Sequence, residues 1–126
     1  MIDELAIVCK ELRLGDLGKL ATQVAFENEI QYLTDVLKLV ANNREAQRIE
    51  RLTKQAKFPV IKTFDGYKFD PIKWPTGFDK EQLLSLDFIE KKQNIICLGA
   101  VGTGKTYLAT ALGVKACSKG KKVRFF

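Results

Sequence analysis

The chain has 126 residues, of which 46% are hydrophobic, and a formal net charge of +6 with a pI near 9.3. That is about one ordinary domain with enough apolar content to bury a core, which excludes a disordered chain. The absence of histidine argues against His-dependent catalysis and His-ligated zinc. The charge is uneven: residues 1–57 hold nine Lys/Arg against nine Asp/Glu, whereas residues 58–126 hold twelve against six. A basic excess suits nucleic acid or another polyanion, although surface lysines are often merely solvated.

Ile2, Leu5, Cys9 and Leu12 recur at helical spacing, with Asp3 and Glu4 at the start and Gly15 as a stop. Asp16 is placed to cap a second short helix bearing Leu17, Leu20, Ala21 and Val24, and Asn28 a third bearing Ile30, Leu33, Leu37 and Val40. The helical pattern continues past Asn42 and Asn43 to Ala56, but its character changes. At 100° per residue, Arg44, Arg48 and Arg51 fall within an arc of about 60°, with Ile49, Leu52 and Ala56 roughly opposite. Such a stripe is either a solvated face or a track of phosphate contacts along duplex DNA.

From Phe58 to Phe78 the helical period is lost and aromatics accumulate: Phe64, Tyr67, Phe69, Trp74 and Phe78, with Pro71 and Pro75 among them. Lys62, Lys68 and Lys73 alternate with these rings, a pattern open to two readings. The rings either pin a linker onto the following domain, one of them lining a nucleobase pocket, or form a single-strand stacking platform. Asp79 and Gln82 have capping-box spacing, and Leu83, Leu84, Leu86, Phe88 and Ile89 follow as a helix.

Ile95, Ile96 and Leu98 read as a short strand buried on both faces, as a parallel sheet requires. Gly99, Ala100, Val101, Gly102, Thr103, Gly104, Lys105 and Thr106 then form the pattern of a phosphate-binding loop. Its glycines permit backbone angles that let successive N–H groups converge on a phosphate. Lys105 is expected to reach the β- and γ-phosphates of ATP and Thr106 to hold Mg²⁺, at the positive end of the next helix. That helix, Tyr107 to Ser118, carries apolar residues around most of its circumference and stops at Lys119 and Gly120. Val123 to Phe126 reads as a second core strand.

The predicted fold class is therefore α/β: a helical N-terminal domain (1–57), an aromatic-rich linker (58–78) and the first part of a P-loop domain with a parallel sheet (79–126). Cys9, Cys97 and Cys117 lie far apart in apolar periodic segments, which reads as reduced core thiols and a cytoplasmic location. Residues 1–4 have no basic signal region and no apolar run approaches ~20 residues, so neither secretion nor a membrane span is expected.

The basic helix ending Ala56-Lys57-Phe58-Pro59, the Leu86-Asp87-Phe88-Ile89 approach, Gly99 to Thr106, and Tyr107-Leu-Ala-Thr-Ala-Leu-Gly113 through Lys122-Val-Arg-Phe125 together give a resemblance. The whole chain resembles the IstB-like helper ATPases of insertion-sequence transposition, and more distantly the bacterial helicase loaders. The resemblance covers only the front half of the family's usual length. It implies an AAA+ ATPase that binds ATP and Mg²⁺ at Gly99 to Thr106, assembles as a homo-oligomer on duplex DNA and recruits or activates a transposase. It also implies that the acidic strand, sensor residues and arginine finger follow Phe126, so the chain is expected to be a fragment and no catalytic residue is assigned within it. A helicase loader and a non-catalytic remnant that binds DNA or a partner are the alternatives.

Overall fold

The computed structural model describes residues 2–126, with side chains from Glu4 onward. It divides into two compact units, one ending at Arg48 and the other running from Ile49 to Phe126.

In the first unit, α1 (Ile2–Glu11) ends in a turn where Arg13 and Gly15 both take positive φ. The second helix, α2 (Leu17–Ala21), is only five residues long. Asp16 precedes it without making a side-chain cap, and Val24 lies beyond it. Thr22 helps end it by turning its hydroxyl back onto the Lys19 carbonyl at 2.7 Å, a local bond that competes with continued helix. α3 (Glu29–Ala56) is 28 residues long and starts as expected, with Asn28 Oδ1 accepting from the Gln31 N–H at 2.8 Å. The buried face of its first half differs from the expectation. Val36 and Val40, one helical turn apart, are buried, as is Cys9 of α1, whereas Ile30, Leu33 and Leu37 are exposed.

The last turns of α3 lie in the second unit. There Leu52 and Ala56 form a core with Cys117 of α6 (Lys105–Ser118), and Phe58 and Val123 pack against it. Burial pushes the Cys117 thiol pKa upward, against an opposing hydrogen bond from Thr53. The chain end is held to the same place, since the Phe125 N–H donates to the Ala56 carbonyl at 2.8 Å. Two short helices lie between, α4 (Lys80–Ser85) and α5 (Asp87–Glu90). The expected capping box at Asp79 and Gln82 is complete. Leu86, in a left-handed conformation with φ 63°, separates the two helices. Glu90 pairs with Lys121, whose hydrogen bond and charge hold the Glu90 pKa below the ordinary carboxylate value.

Gly113 marks a close helix-to-ring approach in this unit. A Cβ there would sit 2.8 and 2.9 Å from two carbons of the Phe58 ring and 3.4 Å from Val123. Gly113→Ala ordinarily gains about 1 kcal/mol of helix propensity. Here overpacking against a ring costs roughly 1–3 kcal/mol and outweighs the gain. We expect a net loss of stability in urea denaturation, and an increase would show that the ring moves aside freely.

The predicted sheet is not observed. Among the described residues there is no strand: 94–98 and 121–126 run without ladder pairing. Ile96 and Leu98 are 80% and 91% exposed, which corrects the expectation of burial on both faces. The physical reason is visible in the alternation. Ile95 and Cys97, and likewise Lys121, Val123 and Phe125, are half-buried while the residues between them are exposed. Each segment has the period of a strand, but one face is uncovered. A strand is also defined by hydrogen bonds to a neighbouring strand, and Phe125 spends its N–H on the end of a helix instead.

Candidate functional site

The loop before α6 is built around two glycines, Gly102 at φ 81° and Gly104 at φ 89°, both in the left-handed region that L side chains rarely adopt. Gly104 is also the N-cap of α6, so the turn delivers the chain directly into the helix. Lys105 and Thr106 are therefore in the first turn of a 14-residue helix, whose unpaired N–H groups and positive dipole end favour an anion.

The side chains of this loop are engaged with its own backbone. The Lys105 ammonium donates to the Gly99 carbonyl and, at 3.5 Å, to that of Ala100. The Thr103 hydroxyl donates to the Ala100 carbonyl at 2.7 Å. Thr106 is exposed, as are Gly99, Ala100, Val101, Gly102, Thr103 and Gly104, while Lys105 is half-buried. The eight residues picked out by spacing thus run from a turn at 101–104 into the start of α6.

Gly99, Thr103, Gly104 and Lys105 also line a cavity of about 1200 Å³, which continues along 92–98 to the aromatic segment. Its lining includes Tyr67, Trp74, Phe78 and Tyr107 and four lysines, Lys68, Lys73, Lys92 and Lys105. No Asp or Glu is among the described residues that line it. Lys92 was not singled out from the sequence. It falls beside the loop because the chain turns after α5, with Lys92 itself at φ 55°, and no spacing signal announces that.

The aromatic segment is pinned to α6 next to the loop. Tyr67 stacks on Tyr107, with centroids 5.3 Å apart and planes at 22°. The Tyr107 hydroxyl donates to the Thr63 carbonyl at 2.9 Å, and Lys62 sits over the Tyr107 ring at 5.3 Å. Phe64, Tyr67 and Phe69 contact one another at 4.8 to 5.6 Å. Burial pushes the Tyr67 pKa upward, helped by the nearby Cys97 and Tyr107. Most of these rings are therefore spent on each other and on α6, which favours the pinned linker over an open platform.

Arg44, Arg48 and Arg51 are all exposed on α3. One Arg44 Nη donates to the Arg13 carbonyl at 2.5 Å, just past the end of α1, and Arg48 lies 3.9 Å from Glu45. A guanidinium has five donors, so the bond from Arg44 leaves most of its capacity unused.

Residues 8–126 match the IstB-like ATP binding protein family. The chain belongs to that family. Its relatives include a Pseudomonas aeruginosa protein named for insertion sequence IS21 and ATP binding, 34% identical over 97% of this chain and 48% of the relative. A Geobacillus stearothermophilus protein named for IS5376 is 35% identical over 75% of the chain and 38% of its own length. A Bacillus thuringiensis protein named for IS232 is 32% identical over 89% and 44%. This IstB-like chain thus spans about half the length, or less, of the curated relatives it matches. The family assignment agrees with the glycine turn at 99–106. Among the described residues no helix is long and apolar enough to cross a membrane.

Proposed function

We propose that this chain binds ATP at Gly99 to Thr106 and is part of an insertion-sequence ATP-binding helper that recruits or activates a transposase on target DNA. The carrying observation is the turn itself. Two left-handed glycines bring Lys105 and Thr106 into the first turn of α6, where backbone N–H groups, dipole and ammonium all favour phosphate oxygens. The base and ribose would extend into the adjoining cavity, whose apolar and aromatic lining suits them.

Mg²⁺ fits the same arrangement as a partly phosphate-held ion. Thr106 is exposed at the helix start and supplies one hydroxyl oxygen. No cluster of three or more His, Cys, Asp or Glu among the described residues could hold a metal by itself. The ion would therefore arrive with the nucleotide, its oxygens coming from phosphates, water and Thr106.

Arg44, Arg48 and Arg51 are the proposed duplex contacts, as exposed guanidinium groups on one helix. Assembly into a homo-oligomer and a cytoplasmic location belong to the same proposal. The relatives' names, which refer to insertion sequences, favour transposition over helicase loading.

Titration with a fluorescent ATP analogue tests the central claim. The expected result is saturable binding, displaced by unlabelled ATP and by inorganic tripolyphosphate, because the phosphates carry the recognition. Binding that tripolyphosphate cannot displace would place the nucleotide elsewhere.

A further inference from the structure

The cavity beside the loop holds more positive charge than one triphosphate on Lys105 uses. Lys68 and Lys73 come from the aromatic segment and Lys92 from the turn after α5. All three are exposed, and none has an ion-pair partner among the described residues. With no carboxylate in the described lining to offset them, their fields add within a concave wall, which concentrates anions. At about 1200 Å³ the space also exceeds the roughly 300–1,000 Å³ of small-molecule sites.

The aromatic residues narrow the class of anion. Phe64, Tyr67, Phe69 and Tyr107 occupy one another's faces; Trp74 stacks more loosely on Phe69, at 6.4 Å and 20°, and is tilted against Phe78 at 6.4 Å, and it is half-buried and borders the cavity. Its indole is the ring best placed to accept a further π-face. Lysines that alternate with an available aromatic face suit a chain of phosphates bearing unstacked bases. A duplex keeps its bases stacked on one another and can offer such an indole only its ends, whereas a single strand can turn a base inward.

We propose that this cavity takes a single strand of nucleic acid, its phosphates on Lys68, Lys73 and Lys92 and a base stacked on Trp74. The site is separate from the arginines of α3 and uses the lysines that the phosphate loop leaves over, but it shares its cavity with the base and ribose of the proposed nucleotide, so the strand is titrated in the absence of nucleotide.

Trp74 is the chain's single tryptophan, so its emission reports this cavity. The full chain is titrated with a short oligothymidylate and with an abasic oligomer of equal length and charge. We expect saturable quenching by the first, with the abasic strand weaker by roughly 5- to 150-fold for one lost stack. Three phosphate contacts on a single strand give a log affinity versus log salt slope of about −2.1. Changing Lys68, Lys73 and Lys92 together to alanine should bring that slope close to zero. These side chains are exposed, so the variant keeps its packing. Trp74→Phe, followed with a labelled strand, should retain most of the affinity that Trp74→Ala loses. The proposal is overturned if oligothymidylate leaves the emission unchanged at low salt or if the abasic strand binds equally well. A triple variant that keeps the slope overturns it too.

Discussion

Lys105→Ala should lower the affinity of this chain for ATP by about 30-fold or more, while leaving its circular dichroism and unfolding transition close to those of the parent. The ammonium is the loop's one cation. A triphosphate at the turn would otherwise be met only by backbone N–H groups and a helix end. Truncating one partner of a desolvated, hydrogen-bonded charge pair costs roughly 2–5 kcal/mol, and 1.4 kcal/mol is a factor of ten in affinity. The fold should tolerate the change, because in this structure Lys105 bonds only to the Gly99 and Ala100 carbonyls of its own exposed turn. Equal affinities in parent and variant would remove this loop as the nucleotide site.

Leu83→Ala should be the most damaging single truncation for stability, at about 2–5 kcal/mol from lost transfer energy plus an unfilled cavity. Leu83 is 2% exposed and belongs to α4, only six residues long, so its burial holds a helix too short to persist unaided. Leu98→Ala is the matched control. That side chain is 91% exposed, so removing it should change the midpoint of urea unfolding little. Similar losses in the two variants would contradict the burial pattern. Because Leu83 also lines the large cavity, its truncation should loosen the cavity wall.

The loop was legible from sequence because its chemistry is local. Spacing alone places Gly102 and Gly104 where left-handed backbone is needed and puts Lys105 and Thr106 at the helix start. Caps were legible for the same reason: Asn28, and Asp79 with Gln82, bond to residues three positions away. Asp16 was misread because a cap needs a suitable backbone angle as well as a carboxylate, and its φ of −85° and ψ of 20° do not provide one. Residues 94–98 and 123–126 have the composition of strands, but pairing is a property of two segments and neither finds a partner among the described residues. Composition likewise could not show which face of α3 is covered. Val36 and Val40 are buried and Leu33 and Leu37 are not, a choice made by what packs alongside. The cavity was the least legible part, since it brings Lys92 near Lys68 and Tyr67 near Tyr107, pairs separated by more than twenty residues.

The carbonyls that hold Lys105 and Thr103 bear on the thermodynamics of loading the loop. A phosphate reaching that ammonium would take the place of protein oxygens instead of water, and the Gly99 carbonyl would then need a new donor or solvent, whereas the Ala100 carbonyl keeps the Thr103 hydroxyl. Loading of the proposed site would thus be an exchange of partners at nearly constant bond number. Its heat reflects the difference between a charged and a neutral acceptor, since bonds to ionised acceptors are about twice as strong. A modest calorimetric enthalpy is therefore compatible with a well-formed site, and selectivity for highly charged ligands follows, because a weak acceptor gains little over the carbonyl it displaces.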